Sequence, residues 1–593
     1  MSSLFKRSLG LVIILSLLPL FYILVDSRLP HTHDGFVHLA RMAAYYKALS
    51  DGQFPVRWAG DLNYGYGMPL FNFMYQVPYL ISSFFILLGF GLVTSFKLVL
   101  AVSYIFSGIF MFLFGKAFFR DEKKALLVTI FYQFAPFRLV ELFVRGSFGE
   151  VYTYTFFPLV LYGLTKLFQK LNYKNFLITA LATALLILSH NALSLSFFGI
   201  AVLFALFFAK SKQHFLVGMC ALIIGMLLST FYWLPAIIEH KYTYGDLFMK
   251  EMYKEHFPPV QDFFIPNVNN DVKFQTGGIS IQFGLFHEIA ILLGIALLIR
   301  HPGKRGVDEG ARLLDKRGSS ISRTSSINRF WTSQNDEKLI IFCLLIFGLI
   351  LFFMQPISTF VWQHISLLRQ FQFPWRLLGL IAFTTSLIAV TYYSFSFFKN
   401  KWALWILLGL VIISTFYYWK PPLGFDKVDE NYYWNFPLNT TYFGETDIIW
   451  SAGPAKSYPK HPVELIAGDA KITQYQKKSY QHTFLVGAKN QSQFVDHTQY
   501  FPGWKVLVDN VSIPIQFQDP NWRGQITFHV PSGKHNVLVK FTESPIRLIA
   551  DMVSVVTIVL LVVLFFFRDF HPHPSLIPSE SNSAAARERR KRT

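Results

Sequence analysis

Residues 339–354 read LIIFCLLIFGLILFFM, contain no charged side chain and follow Lys338 directly. A second stretch of the same kind, residues 552–567, reads MVSVVTIVLLVVLFFF and precedes Arg568. Apolar blocks of this length approach the ~20 residues that a helix needs to cross ~30 Å of hydrocarbon. Inside lipid the backbone must satisfy its own hydrogen bonds, so both blocks predict transmembrane helices.

The composition of the chain agrees with this prediction. Of its 593 residues, 53% are hydrophobic and only 15% are charged, whereas a soluble domain carries about 25% charged residues. The net charge of +19 would indicate a nucleic-acid partner in a soluble protein. Here the basic residues cluster in short loops between apolar blocks, as they do in the cytoplasmic loops of membrane proteins. We therefore expect a multi-pass membrane protein that contacts membrane lipids and no nucleic acid.

Apolar blocks and basic loops together predict about twelve crossings, with both termini in the cytoplasm. The predicted crossings lie near residues 8–26, 97–115, 125–142, 151–167, 174–189, 192–209, 214–236, 283–300, 338–354, 376–396, 402–419 and 546–567. A further block, residues 77–93, would reverse the sidedness of every later loop if it crossed. We expect this block to lie along the outer interface or to dip into it. The first block lacks a small-x-small cleavage site, so we predict a retained span.

The same reasoning divides the chain into domains. We predict a transmembrane domain over residues 1–419, an extracytoplasmic β-rich domain over 420–545, a last transmembrane helix over 546–567 and a basic cytoplasmic tail over 568–593. Within the first domain, residues 26–76 form the first outer loop with juxtamembrane helices. A Gly-, Ser- and Arg-rich segment, 301–337, is predicted to be a cytoplasmic linker. A third outer piece covers residues 239–282.

The β-rich domain is predicted from alternation. Apolar and polar residues alternate over 505–508 and 525–530, and a Pro-Ser-Gly turn precedes residues 535–541. This pattern is typical of antiparallel strands. We expect a small β-sandwich next to the membrane.

The first outer loop carries the most informative polar residues. Residues 31–75 read HTHDGFVHLARMAAYYKALSDGQFPVRWAGDLNYGYGMPLFNFMY, and 35–49 have the spacing of an amphipathic helix. Asp34 directly precedes this helix, so its carboxylate can be an N-cap, a catalytic group or both. His31, His33 and His38 surround it, but no cysteine or second acid cluster completes a metal site. This favours a divalent ion such as Mg²⁺ or Mn²⁺, shared between Asp34 and a phosphate-bearing ligand, over a protein-only metal site.

Further ionisable residues lie at the outer ends of predicted spans. Arg145 and Glu150 belong to the segment VRGSFGE, with Arg138 one to two helical turns earlier. Charged groups at this depth usually pair or line a cavity, so Arg145 is either one half of a structural ion pair or a phosphate clamp. His190, in the turn Ser-His-Asn, and Arg376, in FQFPWR, are likewise either structural or substrate-binding residues.

Several stretches resemble a family of polytopic proteins, the 6-pyruvoyl-tetrahydropterin synthase-related membrane proteins and the YfhO-type proteins. They are the segments HDGFVHLARMAAYYKALSDGQFPVRWAGDLNYGYGMPLFNF, YQFAPFRLVELFVRGSFGE, LSHNAL, LRQFQFPWRLLG and YFPGWKVLVD. The resemblance implies no pterin chemistry, because no ligand set of the soluble zinc enzyme is present. In layout such proteins are similar to GT-C glycosyltransferases, in which an acid in the first outer loop acts as base or metal-binding group and the sugar donor is usually a polyprenyl phosphate. By position, Asp34 matches that acid, although paired acids or Asp-x-Asp occur in several GT-C branches.

The resemblance thus implies a plasma-membrane glycosyltransferase. It would move a sugar from a polyprenyl-phosphate donor to an extracytoplasmic glycan, lipid or protein. The expected catalytic residues are Asp34 and Glu150, and the expected substrate-binding residues are His33, His38, Arg57, Arg138, Arg145, His190, Asn191 and Arg376. Two alternatives stay open, a lipid or polysaccharide transporter and a non-enzymatic envelope assembly protein. A transporter predicts broken helices and polar residues deep within spans, and neither is evident in the sequence.

Overall fold

The computed structural model describes residues 3–265, 270, 278–299, 334–435 and 444–567. Most of the chain before residue 419 is helical, as predicted. The helices used below are α1 (Ser3–Val25), α2 (Gly35–Ser50), α3 (Val77–Leu87), α4 (Leu92–Phe119), α5 (Glu122–Gln133), α6 (Pro136–Val140), α7 (Phe148–Gln169), α8 (Tyr173–Ile187), α9 (Asn191–Phe208), α10 (Lys212–Leu228), α11 (Thr230–Glu239), α12 (Leu285–Ile299), α13 (Gln334–Phe353), α14 (Leu378–Ile388), α15 (Lys401–Ile413) and α16 (Pro545–Phe567). The predicted linker at 301–337 falls mostly outside the described residues, and the tail at 568–593 falls wholly outside them.

A helix or helix pair occupies each of the twelve predicted crossings. By length and composition, five segments among the described residues can span a membrane: α1 from Phe5, α4, α9, Pro374–Ser394 and α16. Counting each of three bent helix pairs as one span raises this number to eight. Shorter apolar helices, including α8, α12 and α15, have 10–17 residues, and α7 has 22 residues but is not among the segments counted above, so the total of twelve stays a prediction.

The three bent pairs correct the sequence-based expectation of unbroken helices. α5 and α6 meet at 51°, α10 and α11 at 68°, and α13 bends by 81° into the helical segment that ends at His364. Two of the bends coincide with prolines, Pro136 and Pro356, which disfavour helical backbone in the residue before them. At the third bend the Ser229 hydroxyl donates to Gly225 O at 3.1 Å.

The apolar block at 77–93 is divided between two helices. α3 has eleven residues and is therefore about 16 Å long, roughly half the hydrocarbon thickness. This length fits the prediction that the block does not cross. The next helix, α4, is capped from far along the chain, because Glu430 accepts hydrogen bonds from the N–H groups of Leu92 and Val93 at 2.8 and 2.9 Å. A carboxylate at this position also favours the positive end of the helix dipole.

The predicted β-domain is confirmed. Its strands are β3 (Val463–Ala467), β4 (Ala470–Lys478), β5 (Gln481–Ala488), β6 (Ser492–Gln499), β7 (Trp504–Val508), β8 (Val511–Ile513), β9 (Gln525–Val530) and β10 (Gly533–Phe541). They form a five-stranded sheet of order β4-β5-β10-β7-β8 and a three-stranded sheet of order β3-β6-β9. Alternating side chains such as Phe484, Val506, Phe528 and Val539 form the apolar core.

The first outer loop packs into the β-domain. Trp58 is buried in the β-domain core, with its ring centroid 5.3 Å from those of Trp504 and Phe541. A two-stranded ladder joins β1 (Leu29–Pro30) to β2 (Phe425–Asp426). The described part of 239–282 joins the same assembly, since the N–H of Ile449 donates to Tyr242 O at 3.1 Å. The described residues of all three predicted outer pieces therefore lie on one face of the helices, the β-domain face.

Candidate active site

One large cavity lies on the β-domain face. Its volume is about 1440 Å³, and its lining comes from α2, α9, α10, α11 and the segment that leads into α14. Of the ten residues predicted for the site, seven line this cavity: His33, Asp34, His38, Arg145, His190, Asn191 and Arg376. The helix ends and the first loop thus converge as the sequence indicated.

Asp34 lies in the cavity wall directly before α2. It occupies the N-cap position, but its side chain makes no capping hydrogen bond. Its backbone N–H donates to Arg145 O at 3.0 Å, and the N–H of His33 donates to Val144 O at 3.0 Å. These bonds place the first-loop acid beside the second polar segment, so the capping interpretation alone does not account for Asp34.

The close approach between the segment of Asp34 and the segment of Arg145 depends on Gly146. This residue follows the π-helical turn Glu141–Arg145 and has φ +62°, a conformation that favours glycine. A Cβ at this position would lie 2.5 Å from Thr32 Oγ1. A single π-helical turn inside a helix is often found at functional sites, and here it brings Glu141 and Arg145 together.

Arg145 belongs to a buried group of four charges, the arginine–glutamate cluster of Glu141, Arg145, Glu150 and Arg376. Arg145 Nη1 lies 2.7 Å from Glu141 Oε1 and 2.6 Å from Glu150 Oε1. Arg376 Nε lies 3.1 Å from the same Glu150 oxygen. Both glutamates are fully buried and neither lines the cavity, so Glu150 lies behind the two arginines and not at the cavity surface.

The two arginines retain hydrogen-bonding capacity toward the cavity. A guanidinium has five N–H donors, and the ion pairs within the cluster involve Nη1 of Arg145 and Nε of Arg376. Arg376 Nη1 also donates to Phe371 O and Gln372 Oε1 at 2.9 and 2.8 Å. Aromatic rings support both groups, with Trp375 4.9 Å from Arg145 and Phe373 4.7 Å from Arg376. The arrangement is suited to binding a phosphate.

The cavity as a whole is cationic. Its lining includes six basic side chains and two carboxylates: Arg41, Arg145, Lys241, Lys250, Arg369 and Arg376 against Asp34 and Glu445. A cleft lined mainly by one sign of charge concentrates ligands of the opposite sign. Four of these cations and Glu445 were missed from the sequence. Arg41 could have been found, because it follows His38 by three positions on α2 and so shares its face with Asp34.

Part of the cavity wall is apolar. It is formed by Leu195 and Phe198 of α9, Met226 of α10, and Trp233 and Ile237 of α11. Leu195 and Ile237 are 38% and 62% exposed. Exposed aliphatic side chains on helices of this kind are covered by lipid in a membrane. The cavity therefore joins a cationic surface to a lipid-facing one.

The histidines of the cavity differ in their surroundings. His190 Nδ1 accepts the N–H of Leu193 at 3.2 Å, which caps α9. Burial lowers the pKa of His190, so its ring is neutral and carries its proton on Nε2. His38 is stacked on Phe148, Tyr79 Oη lies 2.9 Å from its Nδ1, and its Nε2 accepts the Phe148 N–H at 3.4 Å. Both ring nitrogens of His38 are thus engaged within the protein, and its binding of substrate stays a prediction.

The other predicted residues are engaged elsewhere. Asn191 bonds to Phe73 O and Tyr232 Oη, so its amide is committed to packing. Arg138 lies 4.0 Å from the ring of Tyr132 and donates to Gln133 and Ser107 among the helices, away from the cavity lining.

Arg57 also lies outside the cavity lining. Its guanidinium pairs with Glu543 and Asp551 at the beginning of α16. These contacts favour a packing role for Arg57 and Arg138, whereas Asn191 lines the cavity and its binding of substrate stays a prediction.

A metal site built from the protein alone finds no support in the described residues, because they contain no group of three or more His, Cys, Asp or Glu side chains placed to hold an ion. Asp34 is one carboxylate among cationic neighbours, so an Mg²⁺ or Mn²⁺ ion beside it would need its other oxygen ligands from a phosphate-bearing ligand, and that shared site stays a prediction.

The chain belongs to the 6-pyruvoyl-tetrahydropterin synthase related family of membrane proteins, whose domain matches residues 71–420. The match contains the arginine–glutamate cluster but begins after Asp34. An uncharacterized protein of Lactococcus lactis subsp. cremoris (strain MG1363) is 27% identical over 188 residues, which are 31% of this chain and 30% of that protein.

Two solved structures are similar in part. They are cryo-EM structures of the arabinofuranosyltransferase AftD from Mycobacteria and of a mutant form of it, with TM-scores of 0.41 and 0.40 at 17% and 16% identity. The alignments cover 71% and 70% of this chain but only 27% of the AftD chain. At this level the similarity carries no argument about activity.

Proposed function

We propose that this protein is a membrane glycosyltransferase that transfers a sugar from a polyprenyl-phosphate donor to an acceptor on the extracytoplasmic side of the plasma membrane. The observation that carries the proposal is the position of Asp34, which shares one cavity with Arg145, Arg376 and an apolar, lipid-facing wall. A lipid-linked sugar phosphate has the two chemical features that this cavity accommodates, an anionic group and an apolar chain.

Each part of the cavity then has a role in the transfer. Asp34 accepts the proton of the acceptor hydroxyl while that oxygen forms a bond to the anomeric carbon of the sugar. The bond between this carbon and the phosphate oxygen breaks, and polyprenyl phosphate leaves. Arg145 and Arg376 stabilise the negative charge that develops on the phosphate. Glu150, placed behind both arginines, is a positioning residue under this scheme and not the acid or base first expected.

The proposed test uses the protein in lipid nanodiscs with undecaprenyl-phosphate-linked hexoses and pentoses. The released undecaprenyl phosphate is measured in the presence of short oligosaccharide acceptors. We expect Asp34→Asn to lower the rate at least ~100-fold, the usual effect of losing a general base. Asp26→Asn is the matched control, because Asp26 lies in the same loop but pairs with Arg28 outside the cavity. Equal rates for wild type and Asp34→Asn would discard the assignment.

Transport of a lipid-linked glycan is the second candidate, favoured by the three bent helix pairs. Discontinuous helices are typical of transporters whose sites lie at the breaks. The nanodisc assay separates the two functions, since a transporter moves its substrate without cleaving the bond between sugar and phosphate. Intact donor after long incubation with every acceptor would favour transport.

A further inference from the structure

A second, smaller pocket lies between the first outer loop and the β-domain. Its volume is about 200 Å³, the share of six or seven liquid waters at ~30 Å³ each. The lining comes from two parts of the chain, Tyr64 and Gly65 of the loop and several residues of 458–497 in the β-domain. No lining residue is shared with the large cavity.

The loop side of the pocket is a strained turn. Asn63 and Tyr64 have φ values of +56° and +55°, followed by Gly65 at +82°. A bulky residue such as tyrosine rarely adopts this conformation, and strain of this kind is found preferentially at functional sites. The conformation brings the Tyr64 ring edge-to-face against Tyr458, with 5.4 Å between centroids.

The β-domain holds this turn in place. The N–H of Gln499 donates to Tyr66 O at 2.8 Å, Lys477 Nζ donates to Gly65 O at 3.0 Å, and the N–H of Ala455 donates to Asn63 Oδ1 at 3.1 Å. Three hydrogen bonds from separate positions explain how the strained backbone persists. The turn and the domain therefore form one built pocket.

The β-domain side presents polar atoms that need partners. Tyr475 Oη and His497 Nε2 are buried and have no hydrogen-bond partner among the described residues. His497 is 6% exposed, and the nearest carboxylate oxygen, on Glu464, lies 3.5 Å from its Nε2. Buried polar atoms without a partner in the protein point to a ligand or water that supplies one.

His482 adds a third oriented group. Its Nδ1 lies 2.8 Å from Asp496 Oδ2, which leaves Nε2 as the ring nitrogen available to a ligand. The pocket thus combines the edges and faces of tyrosine rings with nitrogen and hydroxyl groups that donate and accept hydrogen bonds. A sugar ring has the matching features, apolar C–H faces and a periphery of hydroxyl groups.

We infer that this pocket binds one neutral monosaccharide unit of a glycan acceptor. The inference rests on the proposed function, which requires an acceptor on the β-domain face. Leu70, which lines the large cavity, follows Gly65 by five positions, so the chain limits the distance between their Cα atoms to about 18 Å. The pocket and the large cavity are therefore neighbours along the first outer loop, and under this inference one oligosaccharide extends from the pocket toward the cavity.

The test measures binding without catalysis. Full-length protein in nanodiscs is mixed with methyl glycosides of glucose, galactose, mannose, rhamnose and arabinose and with their disaccharides, and saturation-transfer NMR detects binding. We expect at least one of these probes to bind. Tyr475→Phe and Tyr64→Ala should each weaken it by about threefold to tenfold, the effect of losing one hydrogen bond or ring contact. Tyr500→Phe is the matched control, because its ring stacks on Phe517 outside the pocket.

Two further measurements separate glycan binding in this pocket from a purely structural role of its residues. Tyr475→Phe should not lower the melting temperature, because it removes a buried hydroxyl that has no partner among the described residues. Asp34→Asn should bind the same glycoside as tightly as wild type, so loss of transfer alone leaves the pocket assignment standing. Absence of a signal with every glycoside, or equal binding by wild type, Tyr64→Ala and Tyr475→Phe, would overturn the assignment even if transfer is observed.

Discussion

Two buried arginine clusters on the β-domain face look alike in chemistry and differ in what they face. Arg57 lies between Glu543 and Asp551, with contacts at 3.0 and 2.6 Å. Arg145 lies between Glu141 and Glu150, with contacts at 2.7 and 2.6 Å. Of the two arginines, Arg145 lines the large cavity and Arg57 does not. An arginine–carboxylate pair therefore indicates function only where the guanidinium also borders a space that a ligand can enter.

The two arginines also differ in how far along the chain their ion-pair partners lie. Arg145 pairs with residues four and five positions away. The partners of Arg57 are 486 and 494 positions away, and its Nη1 donates to Phe231 O at 3.0 Å as well. The Arg57 cluster, formed by Arg57, Glu543 and Asp551, joins the first outer loop to α16. The arginine–glutamate cluster instead forms part of one wall of the cavity. This comparison predicts opposite effects of substitution on stability and on transfer.

The largest expected effect is that of Arg57→Ala. Removing one partner of a fully buried ion pair typically costs about 3–5 kcal/mol, and since Glu543 and Asp551 are 35% and 24% exposed and can regain hydration, we expect a cost at or below the lower end of this range. We expect a clear fall in melting temperature, measured by tryptophan fluorescence in detergent, and transfer that declines only with the amount of folded protein. If the variant were as stable as wild type but failed to transfer, Arg57 would have to be assigned to the active site.

Arg145→Lys is the converse experiment. Lysine keeps the charge beside Glu141 and Glu150 but lacks the planar fork that binds phosphate through two bonds. We expect transfer to fall about 100-fold or more, the range seen when a donor to a developing charge is lost, with a small change in melting temperature. Arg57→Lys is the matched variant and should show the reverse pattern. If both lysine variants behaved alike, the distinction between the clusters would fail.

The sequence predicted the helices and the β-domain better than the contacts between distant parts of the chain. Apolar blocks and alternation located the helices and the β-domain, because burial in lipid and in a two-layer core leaves a periodic pattern. Asp34 and Arg145 were also found, since each lies in a short polar segment at the end of an apolar block. Lys250 and Arg369 were not found, because nothing local in their segments shows that the chain returns them to the same cavity.

Tertiary packing determines several features that the sequence does not display. Arg57 and Arg138 were expected to bind substrate. In the folded protein, carboxylates surround Arg57 and tyrosine rings surround Arg138. The bend at Ser229 likewise lies inside the unbroken apolar stretch predicted to cross at 214–236. Such features depend on residues hundreds of positions apart or on local backbone geometry, which a single sequence does not display.

The smallest expected effect is that of Glu150→Gln, which tests whether the arginine–glutamate cluster acts through position. Glutamine keeps the shape of the side chain but removes the charge that lies 2.6 Å from Arg145 and 3.1 Å from Arg376. The two guanidinium groups then retain one carboxylate of the cluster, Glu141, and shift relative to each other. We expect about a tenfold loss of transfer, the equivalent of one charge-assisted hydrogen bond at ~1.5 kcal/mol.

The form of this loss distinguishes positioning from direct catalysis. A positioning role raises KM for the lipid-linked donor more than it lowers kcat, because the phosphate contacts are already made in the ground state. It also leaves the pH dependence of kcat unchanged, since Asp34 remains the proton acceptor. Glu543→Gln, which neutralises a carboxylate of the Arg57 cluster, serves as the matched control and should alter neither constant. A loss confined to kcat, with a shifted pH profile, would instead make Glu150 the group that exchanges a proton with the substrate.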